Sequence, residues 1–438
     1  MRKLKVCLII DNPLRDLDSM ILLASHLVNK NIDVFLTSMY NQESQVAEIC
    51  PDYILVNYVR PNNKIFLEKL EKCGITIGAL DTEGGAVIMD LEESLIHMLK
   101  NGAYNSVNDY FLWGNVQYDA ILKSGIVPSE KLHVTGTPRY DFCCLPWINI
   151  YDHPYNGKNY FLVNTNFPLL FPKFQTFAQE IETFYTLSNF SIEEIIKITN
   201  EFFSNWSKII ESIISISKLN KINIVIRPHP FEDELVYKKI FKNFDNVEVI
   251  KVGSAIPWIF HSNALIHRDC STALEASFMN INPISIEYPK SSSNYRQEVP
   301  QKVSVKANNL EELNEIVQKL LLNKENRENS DTNNWVISNW YRAIDGKSAL
   351  LISEIISKKI NYNSKSFISI FNIILNTNKS KIKYLLQKLN LFKYNKIKKE
   401  IDFKSVSNII DKLNSLNEKK ISCSKYFLNK SIRIFEKP

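Results

Sequence analysis

Residues 3–38 decide the fold, and they read KLKVCLIIDNPLRDLDSMILLASHLVNKNIDVFLTS. An apolar run at 6–10 ends at Asp11-Asn12-Pro13, a helical pattern follows over 17–28, and a second apolar run occupies 34–37. A short strand, a crossover helix and another strand form a βαβ unit, whose two strands lie parallel in one sheet. The segment therefore predicts an α/β domain with helices on both faces of a parallel sheet.

The same alternation continues along the chain in two series of strands. The first adds apolar runs at 53–56, 75–80, 110–113 and 132–135, and the second has runs at 160–163, 222–226, 247–252, 264–267 and 283–286. The stretch 143–158 has prolines, a glycine and no clean period, which is typical of a domain boundary. We predict a Rossmann-like domain over 1–145, a second over 158–330, a helix crossing back over 331–357, and a tail over 358–438. Because ligands bind outside the carboxyl ends of parallel strands, we expect the site in a cleft between the two domains.

The composition is that of a globular protein. Hydrophobic residues make up 45% and charged residues 23% of the 438, which excludes a wholly disordered or collagen-like chain. Seven cysteines without a C-x-x-C pair predict neither a disulfide framework nor a zinc site. We expect a cytoplasmic protein, because there is no secretory signal pattern and no apolar run of the roughly 20 residues that span a bilayer.

The charge is divided between the body and the tail. Residues 358–438 hold 19 Lys and Arg against 5 Asp and Glu, a net of +14, whereas 1–357 hold 34 against 42, a net of −8. The tail has apolar residues at helical spacing, from Ile382 to Leu391, and we expect a basic helical segment. It fits a peripheral contact with an anionic membrane surface, or a solvated helical appendage. Nucleic acid is disfavoured because the tail lacks interleaved arginine and aromatic residues.

The first candidate site is Asp81-Thr82-Glu83-Gly84-Gly85, directly after the strand at 75–80. Two carboxylates at a strand end suit a general base at the ligand edge of a sheet, and the glycines allow close approach of a substrate. The alternative is a turn in which Asp81 caps the following helix.

The second candidate is Arg227-Pro228-His229-Pro230, after the strand at 222–226. The prolines fix the backbone around His229, so the imidazole is held in one direction, as contact with a phosphate or sugar hydroxyl requires. Arg227 would add a charge-assisted contact to phosphate. The alternative is a structural hydrogen-bonding histidine.

The third candidate is the segment from His267 to Ala276, HRDCSTALEA, which opens a helix. Ser271 and Thr272 lie at the expected N-cap, where free amides favour an anion, and Glu275 is placed to accept from ribose hydroxyls. The alternative is an ordinary capping box of Thr272 with Glu275. No GxGxxG, Walker A or HExxH motif is present, and no cluster has metal-ligand spacing, so we expect no metal and no cofactor.

In this order the motifs resemble two-domain GT-B glycosyltransferases that use CMP-activated sugars, such as bacterial sialyltransferases. They resemble still more the surface carbohydrate biosynthesis proteins related to Kdo transferases. The resemblance covers about residues 1–350 and includes five segments. These are Asp81–Gly85, Trp113-Gly114, Thr135-Gly136-Thr137-Pro138-Arg139, His229-Pro230, and Ser271-Thr272 with Glu275-Ala276.

The resemblance implies an inverting, metal-independent transferase of a CMP-activated sugar, of Kdo or nonulosonate type, in capsule or lipopolysaccharide assembly. Asp81 or Glu83 would deprotonate a hydroxyl of a glycan or lipid-linked glycan acceptor. The nucleotide would bind at Arg227, His229, Pro230, Ser271, Thr272 and Glu275. Weaker candidates for the acceptor or the hinge are Asn12, Arg15, Gly84, Gly85 and Arg139.

Other functions fit the same motifs. A CDP-alditol phosphotransferase of the teichoic-acid type would use similar halves and His-Pro-like loops. A UDP-sugar 2-epimerase shares the fold but needs a fuller set of acids and histidines. A non-catalytic scaffold of a glycan assembly complex would bind no nucleotide.

Overall fold

The computed structural model describes residues 2–81, 99, 102–187, 190–220, 222–290, 298–322, 336, 338–360, 382, 400–426 and 431–437. These residues form two compact units. The first contains the described residues up to 150 and those from 338 on, and the second contains those between 151 and 336. Each unit is a sheet with helices packed on it, and the predicted fold class, α/β of the GT-B type with two Rossmann-like sheets, is confirmed.

The sheet of the first unit has eight strands in the described part of the chain. They are β1 Lys5–Ile10, β2 Asp33–Ser38, β3 Tyr53–Val56, β4 Thr76–Leu80, β5 Asp109–Leu112, β6 Leu132–Val134, β13 Ile421–Tyr426 and β14 Ser431–Glu436. Their order is β13-β14-β2-β1-β3-β4-β5-β6, and β1 to β6 are parallel. Strands β1 to β5 are short, mainly apolar and mostly buried, as in a parallel sheet that helices cover on both faces.

The sheet of the second unit has six parallel strands in its described residues. They are β7 Phe161–Asn164, β8 Ile224–Arg227, β9 Val247–Val249, β10 Leu265–His267, β11 Pro283–Ile286 and β12 Val305–Ala307, in the order β12-β11-β10-β7-β8-β9. The core packs apolar side chains of the sheet against the long helix Ile192–Asn220 and the helix Leu310–Leu322. Strand β12 escaped the sequence prediction because it has only three residues, Val-Lys-Ala, and so shows no apolar run.

The helices occupy the connections between strands. In the first unit they are Pro13–Val28, Gln42–Ile49, Lys64–Lys72, Asn115–Ser124, Pro138–Asp141, Ser348–Lys359 and Phe403–Leu416, with single 3₁₀ turns at Met39–Asn41, Pro61–Asn63, Tyr104–Ser106, Ser129–Lys131 and Trp147–Ile150. In the second unit they are Phe177–Leu187, Ile192–Asn220, Glu234–Ile240, Ile256–Phe260, Thr272–Phe278, Glu298–Lys302 and Leu310–Leu322. No helix among the described residues has the length and apolar character that a bilayer crossing needs.

The end of the tail differs from its predicted helical form. A helix does form at Phe403–Leu416, but β13 and β14 make an antiparallel hairpin, and β14 pairs antiparallel with β2. Ile432 and Ile434 are buried against the sheet, and Arg433 pairs with Asp33 at 2.7 Å. The helical prediction is therefore wrong for 421–426 and 431–436, because an otherwise open sheet edge offers backbone partners that local sequence does not reveal. The predicted helical positions from 385 to 391 lie outside the described residues.

Each sheet reverses its strand order at one point. In the first sheet β2 lies on one side of β1 and β3 to β6 lie on the other, so the reversal lies between β1 and β3. In the second sheet it lies between β7 and β10. A crevice opens outside the carboxyl ends of the strands at such a point, which makes these two edges the places to look for ligand contacts.

Candidate functional site

The edge of the second unit brings together three strand ends. Strands β10, β7 and β8 are neighbours, so the segments that follow His267, Asn164 and Arg227 meet at one edge. The Asn164 amide donates to the hydroxyl of Thr272 at 2.8 Å, and the Asn166 amide donates to the carbonyl of Asp269 at 2.9 Å. Two of the sequence candidates, the Ser271-Thr272 segment and the His229-Pro230 segment, thus flank the end of β7.

Asn164 is a site residue that sequence reasoning missed. Its side chain is 4% exposed, and its Oδ1 accepts no hydrogen bond from the described residues, although its amide is used by Thr272. A buried acceptor without a donor costs about 1–3 kcal/mol, so such atoms usually meet water or a ligand. The only sequence signal is an asparagine ending an apolar run, which is common enough to pass unnoticed.

His229 is held in one orientation by its own loop. The Nδ1 atom accepts from the amide of Phe231 at 3.3 Å, and the Phe231 ring stacks on the imidazole with centroids 5.7 Å apart. An accepting Nδ1 places the ring proton of the neutral imidazole on Nε2, which suits a donor to an oxyanion. Pro230 completes this turn, and both residues are half-buried.

Arg227 has a structural role here. Its guanidinium donates to the carbonyls of Val252 and Gly253, each at 2.8 Å, and lies 5.2 Å from the ring centroid of Trp258. Burial lowers the pKa of Arg227 to about 10. The guanidinium therefore fastens the loop after β9, a use that the RPHP sequence does not suggest.

The start of the helix Thr272–Phe278 also differs from the sequence interpretation. Ser271 is the N-cap and its side chain makes no capping bond, while the Thr272 hydroxyl accepts from Asn164, so the capping box of Thr272 with Glu275 does not form. Glu275 is 1% exposed. Asp269, in the turn before the helix, has a positive φ of 52°, and Gln301 donates to its carboxylate at 3.0 Å.

Asp81 follows β4 at the edge of the first unit. Its carboxylate is 3.8 Å from the Arg60 guanidinium, and its carbonyl accepts from the Trp113 indole at 2.9 Å. The side chain of Asp81 is 20% exposed, so it is accessible at this edge. Glu83, Gly84 and Gly85 lie outside the described residues, and their predicted roles stay predictions.

Asn12 and Arg15 lie at the reversal point of the first sheet. Asn12 is the N-cap of the helix Pro13–Val28, and its Oδ1 accepts from the Leu14 amide at 3.1 Å. The Arg15 guanidinium bridges Asp16 at 2.6 Å and Asp11 at 2.9 Å. Both residues thus have structural partners at the place where the sequence suggested acceptor contacts.

The two glycine-containing motifs of the first unit pack against the chain that returns to it. A Cβ on Gly114 would lie 2.4 Å from the Trp340 carbonyl, and one on Gly136, whose φ is +74°, would lie 2.7 Å from the Ser348 hydroxyl. Arg139 lies over the Tyr140 ring at 5.9 Å. These motifs therefore serve close packing of the returning segment.

Asp141 fixes the start of the helix Ser348–Lys359. Its carboxylate accepts from the amides of Ser348 at 2.9 Å and Ala349 at 2.8 Å. Burial raises the pKa of Asp141 to about 6, against the opposing effect of these two amides. At the other helix end, Lys359 donates to Asp109, so the returning helix is tied to the first unit at both ends.

The chain was compared with known proteins. No family model and no curated protein matches it. Similar solved structures include the UDP-GlcNAc 2-epimerase of Neisseria meningitidis bound to UDP-GlcNAc, with TM-score 0.52, 14% identity, and coverage of 81% of this chain and 100% of that one. The UDP-GlcNAc 2-epimerase of Methanocaldococcus jannaschii, in complex with UDP-GlcNAc and UDP, has a TM-score of 0.51 and 14% identity, and the match covers 81% of this chain and 100% of that one. A putative UDP-N-acetylglucosamine 2-epimerase from Listeria monocytogenes has a TM-score of 0.51 and 14% identity, and the match covers 83% of this chain and 98% of that one. At 14% identity, the similarity to these structures shows the fold alone.

No group of three or more His, Cys, Asp or Glu within the described ranges is arranged to hold a metal ion. No disulfide bond joins any of the seven cysteines, all of which lie in the described part of the chain.

Proposed function

We propose that the protein is a glycosyltransferase that takes its sugar from a nucleotide-activated donor bound at the edge of the second unit. The observation that supports this most is the buried Oδ1 of Asn164, which has no donor among the described residues and lies at the strand-order reversal, beside the ends of β8 and β10. Nucleotide ligands of open parallel sheets occupy such a position, and a ribose hydroxyl or a base amine would supply the missing donor.

In this proposal the neutral groups of the edge contact the nucleotide. Nε2 of His229 donates to a phosphate oxygen, and Ser271 and Thr272 line the start of the neighbouring helix. Glu275 and Pro230 complete the nucleotide set predicted from the sequence. Arg227 holds the loop after β9 and takes no part in phosphate binding.

The transfer step would use a carboxylate of the first unit. Asp81 or Glu83 removes the proton of the acceptor hydroxyl, whose oxygen then attacks the anomeric carbon as the nucleotide leaves, and the anomeric centre is inverted. The donors at the nucleotide site stabilise the charge that develops on the leaving phosphate.

The resemblance of the five motifs favours a CMP-activated sugar and an acceptor in surface-glycan assembly. Two of the similar solved structures hold UDP-GlcNAc, one of them together with UDP, which makes UDP-GlcNAc 2-epimerase the second candidate function. An epimerase would act on the sugar nucleotide alone and need no acceptor.

The charge pattern adds a proposal about location. Residues 361–399 contain nine lysines and no Asp or Glu. A basic segment of this kind is attracted to anionic lipid, so we propose that the protein works in the cytoplasm at the inner membrane surface.

Calorimetry with CMP, CDP and UDP tests the donor class, followed by mass spectrometry of products from CMP-sugars with membrane-extracted acceptor. We expect saturable CMP binding that weakens at least tenfold, about 1.4 kcal/mol, in the His229→Ala variant. Preference for UDP, together with conversion of UDP-GlcNAc to its C2 epimer without acceptor, would establish the second candidate. Absence of binding to all three nucleotides would overturn both and favour a scaffold.

A further inference from the structure

Glu232 is a fully buried carboxyl group beside the proposed nucleotide site. It is 0% exposed and lies three residues after His229, in the turn that precedes the helix Glu234–Ile240. Its Oε2 accepts from the Thr165 hydroxyl at 2.8 Å and from the amides of Phe167 and His229 at 3.2 Å each. Its Oε1 accepts from the Tyr237 hydroxyl.

Three of these four donors come from two different strand ends, and the fourth, Tyr237, lies in the helix Glu234–Ile240. Thr165 and Phe167 follow β7, on either side of Asn166, whereas His229 follows β8. The strands are paired up to Asn164 and Arg227, and beyond them the Thr165 amide donates to the Arg227 carbonyl at 3.3 Å and an isolated bridge joins Pro172 to Glu232. Among the described residues, no backbone hydrogen bond joins 166–167 directly to 229–230. One carboxyl oxygen that accepts from both continuations fixes their separation beyond the last strand pair.

The backbone around Glu232 is fixed as well. The Glu232 amide donates to the His229 carbonyl at 2.8 Å, and Lys251, 7% exposed, donates to the Glu232 carbonyl at 2.5 Å. Burial raises the pKa of Glu232, although its four donors act in the opposite direction. Burying a polar side chain costs free energy unless its hydrogen bonds are made. When all of them are made, as for Glu232, the side chain fixes the positions of the groups that it contacts.

We propose that Glu232 is a positioning residue that sets the spacing between the end of β7 and the His229-Pro230 segment, and thereby the nucleotide affinity. This inference rests on the proposed function, because it assigns both strand ends to one nucleotide site. Glu232 acts through its neighbours, since its own oxygens are fully used by the chain.

Three substitutions separate positioning from simple stability. In Glu232→Asp the side chain is one methylene shorter and cannot reach both strand ends. In Glu232→Gln the amide oxygen can replace Oε2, while the amide nitrogen donates to the Tyr237 hydroxyl, which accepts as readily as it donates. Tyr237→Phe removes the donor on Oε1 and leaves the strand-end donors in place.

The nucleotide dissociation constant and the melting temperature are measured for each variant of the full chain, with the nucleotide that the wild type binds. We expect the nucleotide affinity to weaken at least tenfold in Glu232→Asp and less than threefold in Glu232→Gln. In Tyr237→Phe the affinity should weaken less than twofold, although the melting temperature falls by about as much as in Glu232→Asp. Wild-type affinity in folded Glu232→Asp, or equal losses of affinity in Glu232→Asp and Tyr237→Phe, would overturn the inference. If Glu232→Asp does not fold, Thr165→Val serves instead, with a three- to tenfold loss expected and unchanged affinity counting against the proposal.

Hydrogen exchange makes this test independent of the proposed function. In Glu232→Asp we expect faster amide exchange at both 165–167 and 229–231, and in Tyr237→Phe at neither. If the wild type binds no nucleotide, the proposed function fails while this coupled exchange still decides whether Glu232 links the two segments. Exchange that rises in only one segment would show that it does not.

Discussion

The carboxyl edges of the two sheets use charge in opposite ways. In the first unit the charged side chains meet one another, with Arg15 between Asp11 and Asp16, and Arg60 near Asp81. In the second unit the buried side chains bond to the backbone. Arg227 donates to two carbonyls, and Glu232 accepts from two amides. Neutral groups such as Asn164 are left at the strand ends. A charged residue after a strand can therefore hold another side chain, as in the first unit, or backbone, as in the second, and its charge alone does not mark it as a ligand contact.

The largest effect should come from removing the hairpin of the first unit. Deleting 400–438 uncovers β2 and removes the helix Phe403–Leu416 together with the hairpin. The two buried isoleucines of β14, Ile432 and Ile434, alone contribute about 3–6 kcal/mol. We expect an aggregating or unfolded first unit, measured by urea unfolding and light scattering. A matched variant with 361–399 replaced by a Gly-Ser linker of equal length should keep its stability and lose binding to anionic vesicles. A stable hairpin deletion would show that the edge strand is dispensable, and vesicle binding by the linker variant would exclude the membrane proposal.

The next largest effect concerns the carboxylates after β4. We expect one of Asp81→Asn and Glu83→Gln to lower the transfer rate at least 100-fold, about 2.7 kcal/mol, with nucleotide affinity nearly unchanged. Rates come from product formation and affinities from calorimetry. If either variant loses nucleotide affinity, the proposal that only the second unit's edge binds the nucleotide is wrong. If both variants remain active, neither carboxylate is the base.

An effect of intermediate size is expected from Asp141, through pH. Its folded-state pKa of about 6 lies above the ordinary 3.8, so its contribution to stability is full below about pH 3.8 and is lost as the pH rises through 6. The stability advantage of the wild type over Asp141→Asn should therefore shrink by on the order of 2 kcal/mol between pH 4.5 and pH 7 in urea unfolding.

Asp345 provides the control of opposite sign. Arg342 pairs with it at 2.9 Å and its pKa is lowered despite partial burial, so its contribution is present at neutral pH and is lost on acidification. The advantage of the wild type over Asp345→Asn should grow as the pH rises toward the ordinary pKa of 3.8 and then stay constant, so the unfolding series for this pair begins well below that pH. A difference for Asp141 that is constant, or grows with pH, would contradict the ionisation described here.

The smallest effect on binding is expected from Arg227→Lys. A lysine cannot reach the carbonyls of both Val252 and Gly253, so the melting temperature should fall, while nucleotide affinity changes less than threefold, about 0.6 kcal/mol. A tenfold loss of affinity, equal to that of His229→Ala, would restore Arg227 as a phosphate ligand and remove the contrast between the two edges.

Much of the fold follows from the sequence because the strands of a doubly covered parallel sheet are short, apolar and separated by helices. The sequence also located His229 and Ser271 correctly at strand ends that share an edge. It did not reveal Asn164 or Glu232, because a single asparagine or glutamate has no periodic signature. Their significance depends on which strands become neighbours, and β7 meets β10 across about a hundred residues of chain.

The sequence by itself determined the alternation of strands and helices, the two units and the polar segments that end the strands, because these depend on local hydrophobic patterning. The tertiary structure alone decided the partners. The last residues of the chain pair with β2 because an open sheet edge stabilises any strand that reaches it. Arg227 and Glu232 hold loops because a buried polar side chain must find hydrogen-bonding partners, and some of those partners, Val252 for Arg227 and Thr165 for Glu232, follow other strands of the sheet.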